Sequence, residues 1–128
     1  MVCVLKKGDN FSEKFREFLR RNRVNGGFFY GLGGFQKVEL AFYDLRTKKY
    51  NKKKFMGPFE VLSIKGNIAQ GEDDVVVHAH VVLGDKNFKT FGGHLVNATI
   101  GGTLELNIVD AGMMERKFDD ETGLNLLK

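Results

Sequence analysis

One helical stripe in a chain otherwise patterned for strands sets the class of fold. Phe11, Phe15, Phe18 and Leu19 fall at i, i+4, i+7 and i+8, which paints one apolar face of a helix. Asn10 stands where a helix cap is needed, with Glu13 three residues on in capping-box spacing. Asn25-Gly26-Gly27 is read as the stop, because glycine accepts the left-handed conformation that ends helices. Arg20, Arg21 and Arg23 oppose the negative end of the helix dipole there. Before the helix, residues 2–6 read as a short strand leading into a Gly8-Asp9 turn. After it, the apolar period changes from 3.6 to 2.

Phe28-Phe29-Tyr30 leads to Gly31-Leu32-Gly33-Gly34, where a turn is expected, and Val38, Leu40 and Phe42 then alternate with Glu39, Ala41 and Tyr43. Strand segments follow at Phe59–Ile64, Gly66–Ala69, Val75–Leu83, Phe88–Phe91 and Thr99–Val109, with Leu104, Leu106 and Ile108 on one face of the last. Gly, Asn and Asp join these segments, which favours antiparallel links over βαβ crossovers. The expected architecture is α+β: a twisted antiparallel sheet or half-barrel with one main helix, formed by a single domain over residues 1–128. Apolar residues are 42% of the chain and include 12 phenylalanines, enough to fill a core without covalent staples. Phe28, Phe29, Tyr30, Phe35, Phe42 and Tyr43 are assigned to that core, and Met113-Met114 to core or interface.

All three histidines fall in one short window. His78 and His80 lie in the β-branched run from Val75 to Leu83, where alternate residues share a face and stand roughly 6.5–7 Å apart along the strand. A turn through Gly84–Asn87 can return the chain so that His94, after Gly92-Gly93, lies beside them. Three converging imidazoles suit zinc and leave a fourth tetrahedral position for water or substrate. Asp85, Glu105 and Glu39 are carboxylates of the type that orients such rings, and the sequence leaves their places open. The competing reading is three histidines bonded to backbone carbonyls. Both faces of the 75–83 run are partly apolar, so the histidines are expected to be covered by helix, sheet or another subunit.

Other chemistries find little support. Cys3 is the only cysteine, placed at a frayed chain start, so there is no internal disulfide and a reducing, cytoplasmic setting is expected. Ser63 lies in no nucleophile motif. The glycines at 31, 33 and 34 make no dinucleotide fingerprint, since Gln36 stands where the third glycine belongs. No stretch approaches the roughly 20 apolar residues of a membrane span. The formal charge is +4, part of it in Lys48-Lys49-Tyr50-Asn51-Lys52-Lys53-Lys54. Lys52, Lys53 and Lys54 are the candidates for nucleic-acid contact, set against a solvated hairpin tip.

Several motifs together resemble the PPC domain, named for plants and prokaryotes conserved. They are Gly31-x-Gly33, Val38–Asp44, Gly57–Ile68, His78-x-His80-Val81-Val82-Leu83-Gly84-Asp85, Gly92-Gly93-His94-Leu95 and Asp119–Leu124. The resemblance implies a compact fold on an antiparallel sheet, assembly as a homotrimer, and the same three histidines. In the plant proteins the domain follows AT-hooks and contacts transcription factors through a Gly-Arg-Phe-Glu-Ile-Leu segment. Gly57, Phe59, Glu60, Val61 and Leu62 are the corresponding partner-binding candidates here, with Pro58 in place of the Arg. Pro58 is also the only proline, so no Arg-Gly-Arg-Pro hook for the minor groove exists in this chain. The reading that follows is a stand-alone trimeric binding or regulatory domain, DNA-associated, with a three-histidine zinc site. The alternative is a zinc-dependent enzyme acting on a small molecule at a subunit cleft.

Overall fold

A computed structural model describes all residues, 1–128. The chain runs β1 (Val2–Lys6), α1 (Phe11–Arg21), β2 (Gly27–Asp44), β3 (Lys49–Gln70), β4 (Val75–Gly84), β5 (Thr90–Asp110), β6 (Arg116–Asp119) and β7 (Leu124–Leu127). The main sheet has the order β1-β5-β2-β3-β4, every pairing antiparallel, and β4 also pairs with β5, so the sheet curls round on itself. β6 and β7 form a separate hairpin. The α+β class and the single helix on an antiparallel sheet are as the sequence implied. No helix is long and apolar enough to cross a membrane.

The helix plugs the inside of the curled sheet. Asn10 Oδ1 accepts the Glu13 N–H at 3.1 Å, the forward half of the expected box. Phe11, Phe15 and Leu19 are buried, and the Phe15 ring meets Phe29 of β2 edge-on at 4.9 Å between centroids. Phe15, Phe29 and Phe35 are each at most 2% exposed, and burying such a ring is worth about 1.5–3 kcal/mol. The helix ends earlier than the glycines suggested. Arg23 takes φ 56° and donates to Arg20 O, while Val24 donates to Leu19 O. This is a Schellman closure with buried Leu19 and Val24 as its apolar pair.

Glycine marks bends within strands here more than turns between them. Gly31–Gly34 lies inside one 18-residue strand, β2, whose register shifts against β3 between Gly31 and Gly33 and again between Phe35 and Lys37. Likewise the expected 88–91 and 99–109 segments belong largely to one strand, β5. Such bulges let long strands curl round a small core. They also break the alternation at 38–42. Val38, Leu40 and Ala41 are buried but Phe42 is 72% exposed. The β2–β5 ladder ends at Ala41↔His94, so the β2–β3 arm runs on past β5 and Phe42 has nothing to cover it. Phe28 and Tyr30, also assigned to the core, are half exposed on the outer face. Cys3 is the opposite case: it is 1% exposed in β1, and burial pushes its thiol up to about 11, away from reactivity.

Candidate metal centre

β4 sends Val75, Ala79, Val81 and Leu83 to the core and Val76, His78, His80 and Val82 outward. β5 then returns beside it, pairing His94 directly with His80. Gly92 permits this approach, since a Cβ there would lie 2.2 Å from Val81 O. The three rings converge as the spacing predicted. Their centroids are 4.9, 5.2 and 5.6 Å apart, and one ring nitrogen from each lies within 4.8 Å of the others. His78 Nε2 and His80 Nε2 are 3.2 Å apart. Two nitrogens on a tetrahedral zinc at roughly 2.0–2.1 Å stand about 3.3–3.4 Å apart, so this pair already has ligand spacing. His94 completes the group, with its ligand nitrogen within 4.8 Å of the other two. The donor set, three imidazoles without carboxylate, fits a borderline-soft divalent cation.

The electrostatics keep His78 and His94 in the ligating form. Burial, then the neighbouring His80, His94 and Arg116, lowers the His78 pKa to about 4. Burial, then His80 and Lys52, lowers that of His94. A neutral imidazole offers its lone pair to a metal at neutral pH. The expected cover over the second face of β4 is absent within the chain. His80 is exposed, His78 and His94 are half-buried, and all three line an open cleft of about 1390 Å³.

The carboxylates considered as ring-orienting partners are elsewhere. Asp85 Oδ1 accepts from the N–H groups of Asn87 and Lys89 in the β4–β5 turn. Glu105 and Glu39 do not line the cleft. What surrounds the triad instead is Tyr50, whose ring stacks on His94 at 5.1 Å, and Arg116 from β6. Arg116 donates to Asn125 O at 2.8 Å and to Asn67 Oδ1, and Asn67 is the register partner of His78. No local motif announced Arg116, because it reaches the site from a hairpin late in the chain. Tyr50 stood within the basic run, but its place beside His94 depends on the β2–β3 arm.

The other candidate residues are distributed as follows. Lys52, Lys53 and Lys54 are exposed on β3, in the arm and not at its tip. Successive strand residues face opposite ways, so the three do not form one patch; Lys52 acts on His94, while Lys53 Nζ lies 5.0 Å over the Phe55 ring. In the 57–62 segment Val61 is buried, Phe59 packs on Phe91 at 5.3 Å, and Glu60 and Leu62 face solvent. Met113 is 65% exposed.

The family described as the Plants and Prokaryotes Conserved (PCC) domain matches residues 1–111. The Asp119–Leu124 motif and the whole β6–β7 hairpin lie beyond that match. No curated protein matches the chain. Among solved structures, a candidate DNA-binding protein from Bacteroides thetaiotaomicron shares the fold at 23% identity and TM-score 0.93, covering 99% of this chain and 90% of that one. A candidate DNA-binding protein from Ralstonia eutropha is 29% identical with TM-score 0.92 over 99% and 89% of the two chains. A metal-containing protein from Archaeoglobus fulgidus is 29% identical with TM-score 0.91 over 100% and 91%.

Proposed function

The chain belongs to the Plants and Prokaryotes Conserved domain family, and from that premise we propose that it is a self-associating binding module carrying one divalent metal, zinc, on His78, His80 and His94. The observation that carries this reading is the convergence of three ring nitrogens within 4.8 Å, two of them already at ligand spacing. The metal-containing relative from Archaeoglobus fulgidus supports it. Zinc bound here keeps one coordination position for an oxygen ligand. Equilibrium dialysis against zinc tests the site. About one zinc per wild-type chain and none in the His78→Ala, His80→Ala double variant is expected; equal uptake by both overturns it.

Assembly as a homotrimer is supported by an uncovered apolar face. Val2, Val4, Phe28, Tyr30, Leu32 and Val109 are all more than half exposed, on three adjacent strands. Register rows put them on one side: Val2, Asn107 and Tyr30 are consecutive partners, as are Val4, Glu105 and Leu32. Exposed Asn107 and Glu105 lie between these apolar residues on β5, and a largely apolar face with polar groups of this kind fits an interface between copies. The first row continues through Lys65 to His80, so a subunit seated on the patch would border the histidine cleft. Light scattering is expected to give about 43 kDa, three times the 14.4 kDa chain; a 14.4 kDa particle contradicts it.

DNA association is carried over from the names of two similar structures, together with the net charge of +4. Lys52 and Lys54, on one face of β3, and Lys53, on the other, supply the phosphate contacts in this reading, so the DNA would meet the edge of the arm. Affinity for duplex DNA then falls steeply with salt, and neutralising the three lysines removes that dependence. Glu60 and Leu62 are the residues through which the 57–62 segment, with Gly57, Phe59 and Val61 shaping it from behind, meets a protein partner. A second reading, a zinc-dependent enzyme acting on a small molecule, is favoured by one observation: the triad lies in an open cleft instead of being sealed.

A further inference from the structure

Building on the metal site, we propose that the histidine cleft binds a small oxyanion, with Arg116 as its anion-binding residue. Arg116 is a partly buried cation without a counter-ion. Its two recorded acceptors, Asn125 O and Asn67 Oδ1, are both neutral, and its Nε is buried with no partner at all. The ion pairs of the chain, Lys14–Glu17, Arg20–Asp74, Arg21–Glu17 and Lys128–Glu115, do not include it. A charge withdrawn from water in this way is costly unless an opposite charge meets it.

The surroundings say where that charge would sit. Asn67 holds the guanidinium beside His78, its register partner, and the Arg116 charge acts on the His78 ring. Lys52 adds positive potential at His94. Glu72 is the one carboxylate in the cleft lining, and it is solvent-exposed. The cleft is therefore cationic, with metal ligands on one wall and a planar guanidinium on another. A carboxylate or phosphate-type group matches that fork, and the metal's open position accepts an oxygen of the same ligand. The β6–β7 hairpin that supplies Arg116 lies outside the residues matched by the family, so this pocket is assigned from the chain's own geometry.

Calorimetry on the full-length chain, zinc-loaded and metal-free, tests the assignment with acetate and methylphosphonate as probes. The zinc-loaded wild type is expected to bind at least one probe, and which one binds more tightly tells carboxylate from phosphonate chemistry. Arg116→Gln is expected to weaken that binding at least about tenfold with zinc content unchanged, and Arg116→Lys to recover part of it. Equal affinity in wild type and Arg116→Gln, or no binding of either probe to the zinc-loaded wild type, overturns the proposal. If the wild type takes up no zinc, the metal reading falls, and the same comparison on metal-free protein decides the role of Arg116. Should Arg116→Gln fail to fold, Arg116→Met replaces it.

Discussion

Replacing Gly66 by Ala perturbs the histidine triad from behind, without touching any of its rings. Gly66 sits on β3 between Phe29 of β2 and Ala79 of β4. A Cβ there would lie 2.1 Å from the His78 carbonyl oxygen and 2.6–2.7 Å from the Phe29 ring. Ordinary contact begins near 3.4 Å, so β4 must move away by about 1 Å and the Phe29 ring must also shift from its place over the helix. Overpacking of this kind costs about 1–3 kcal/mol, and the backbone clash argues for the upper end. Stiffening the unfolded chain returns about 0.4–1 kcal/mol, leaving a net loss of about 2 kcal/mol. At about 2.1 cal/mol/K per residue, 128 residues give an unfolding entropy of about 0.27 kcal/mol/K, so Tm falls by about 7 °C. His78 moves with β4, and metal geometry tolerates only about 0.2 Å, so zinc affinity also falls. Scanning calorimetry at fixed protein concentration and a zinc competition titration read both effects. Gly102→Ala is the control, since a Cβ there meets nothing within 4 Å. Wild-type Tm and zinc affinity in Gly66→Ala, or the same losses in Gly102→Ala, would refute the reasoning.

Further outcomes follow from other parts of the structure. Arg23→Gly removes the strain of a left-handed arginine at φ 56° and is expected to raise Tm by about 2–4 °C in thermal unfolding. Zinc at one hundred times its Kd stabilises by about 2.7 kcal/mol, or about 10 °C by the same entropy, and thermal shift should lose that increment in His94→Ala. In the metal-free protein the folded state holds His78 near 4, below its unfolded value of 6.5. The unfolded chain therefore takes up the proton first, so stability falls as pH drops through 6.5 and levels off below about 4. Urea unfolding at several pH values should show that fall, flattened in His78→Gln. Tyr30→Glu places a charge on the uncovered apolar face and is expected to reduce the mass seen by light scattering without unfolding the chain.

Local signals were legible in the sequence wherever the determining contacts are local. The Phe11–Leu19 stripe, the Asn10 cap and the β-branched run around His78 needed only periodicity, and His94 followed from one short turn. Glycine was the misleading residue. It permits a turn, a bulge or a close approach, and at Gly31–Gly34 and Gly92-Gly93 the neighbouring strand decides which. The early end of α1 was hidden because an arginine, not a glycine, adopts the left-handed position. Phe28, Tyr30 and Phe42 were misassigned because aromatic character does not tell a buried face from an exposed one. Arg116 and Tyr50 were out of reach for a different reason: they meet the histidines only after β6 and the β2–β3 arm have folded around them.

X-ray absorption at the zinc edge of the metal-loaded chain tests the central claim most directly. Three imidazole nitrogens and one oxygen at roughly 2.0–2.1 Å, reduced to at most one imidazole in the His78→Ala, His80→Ala variant, are the expected result. A shell with fewer than two imidazoles in the wild type, or one unchanged by the double substitution, would contradict a metal centre at His78, His80 and His94.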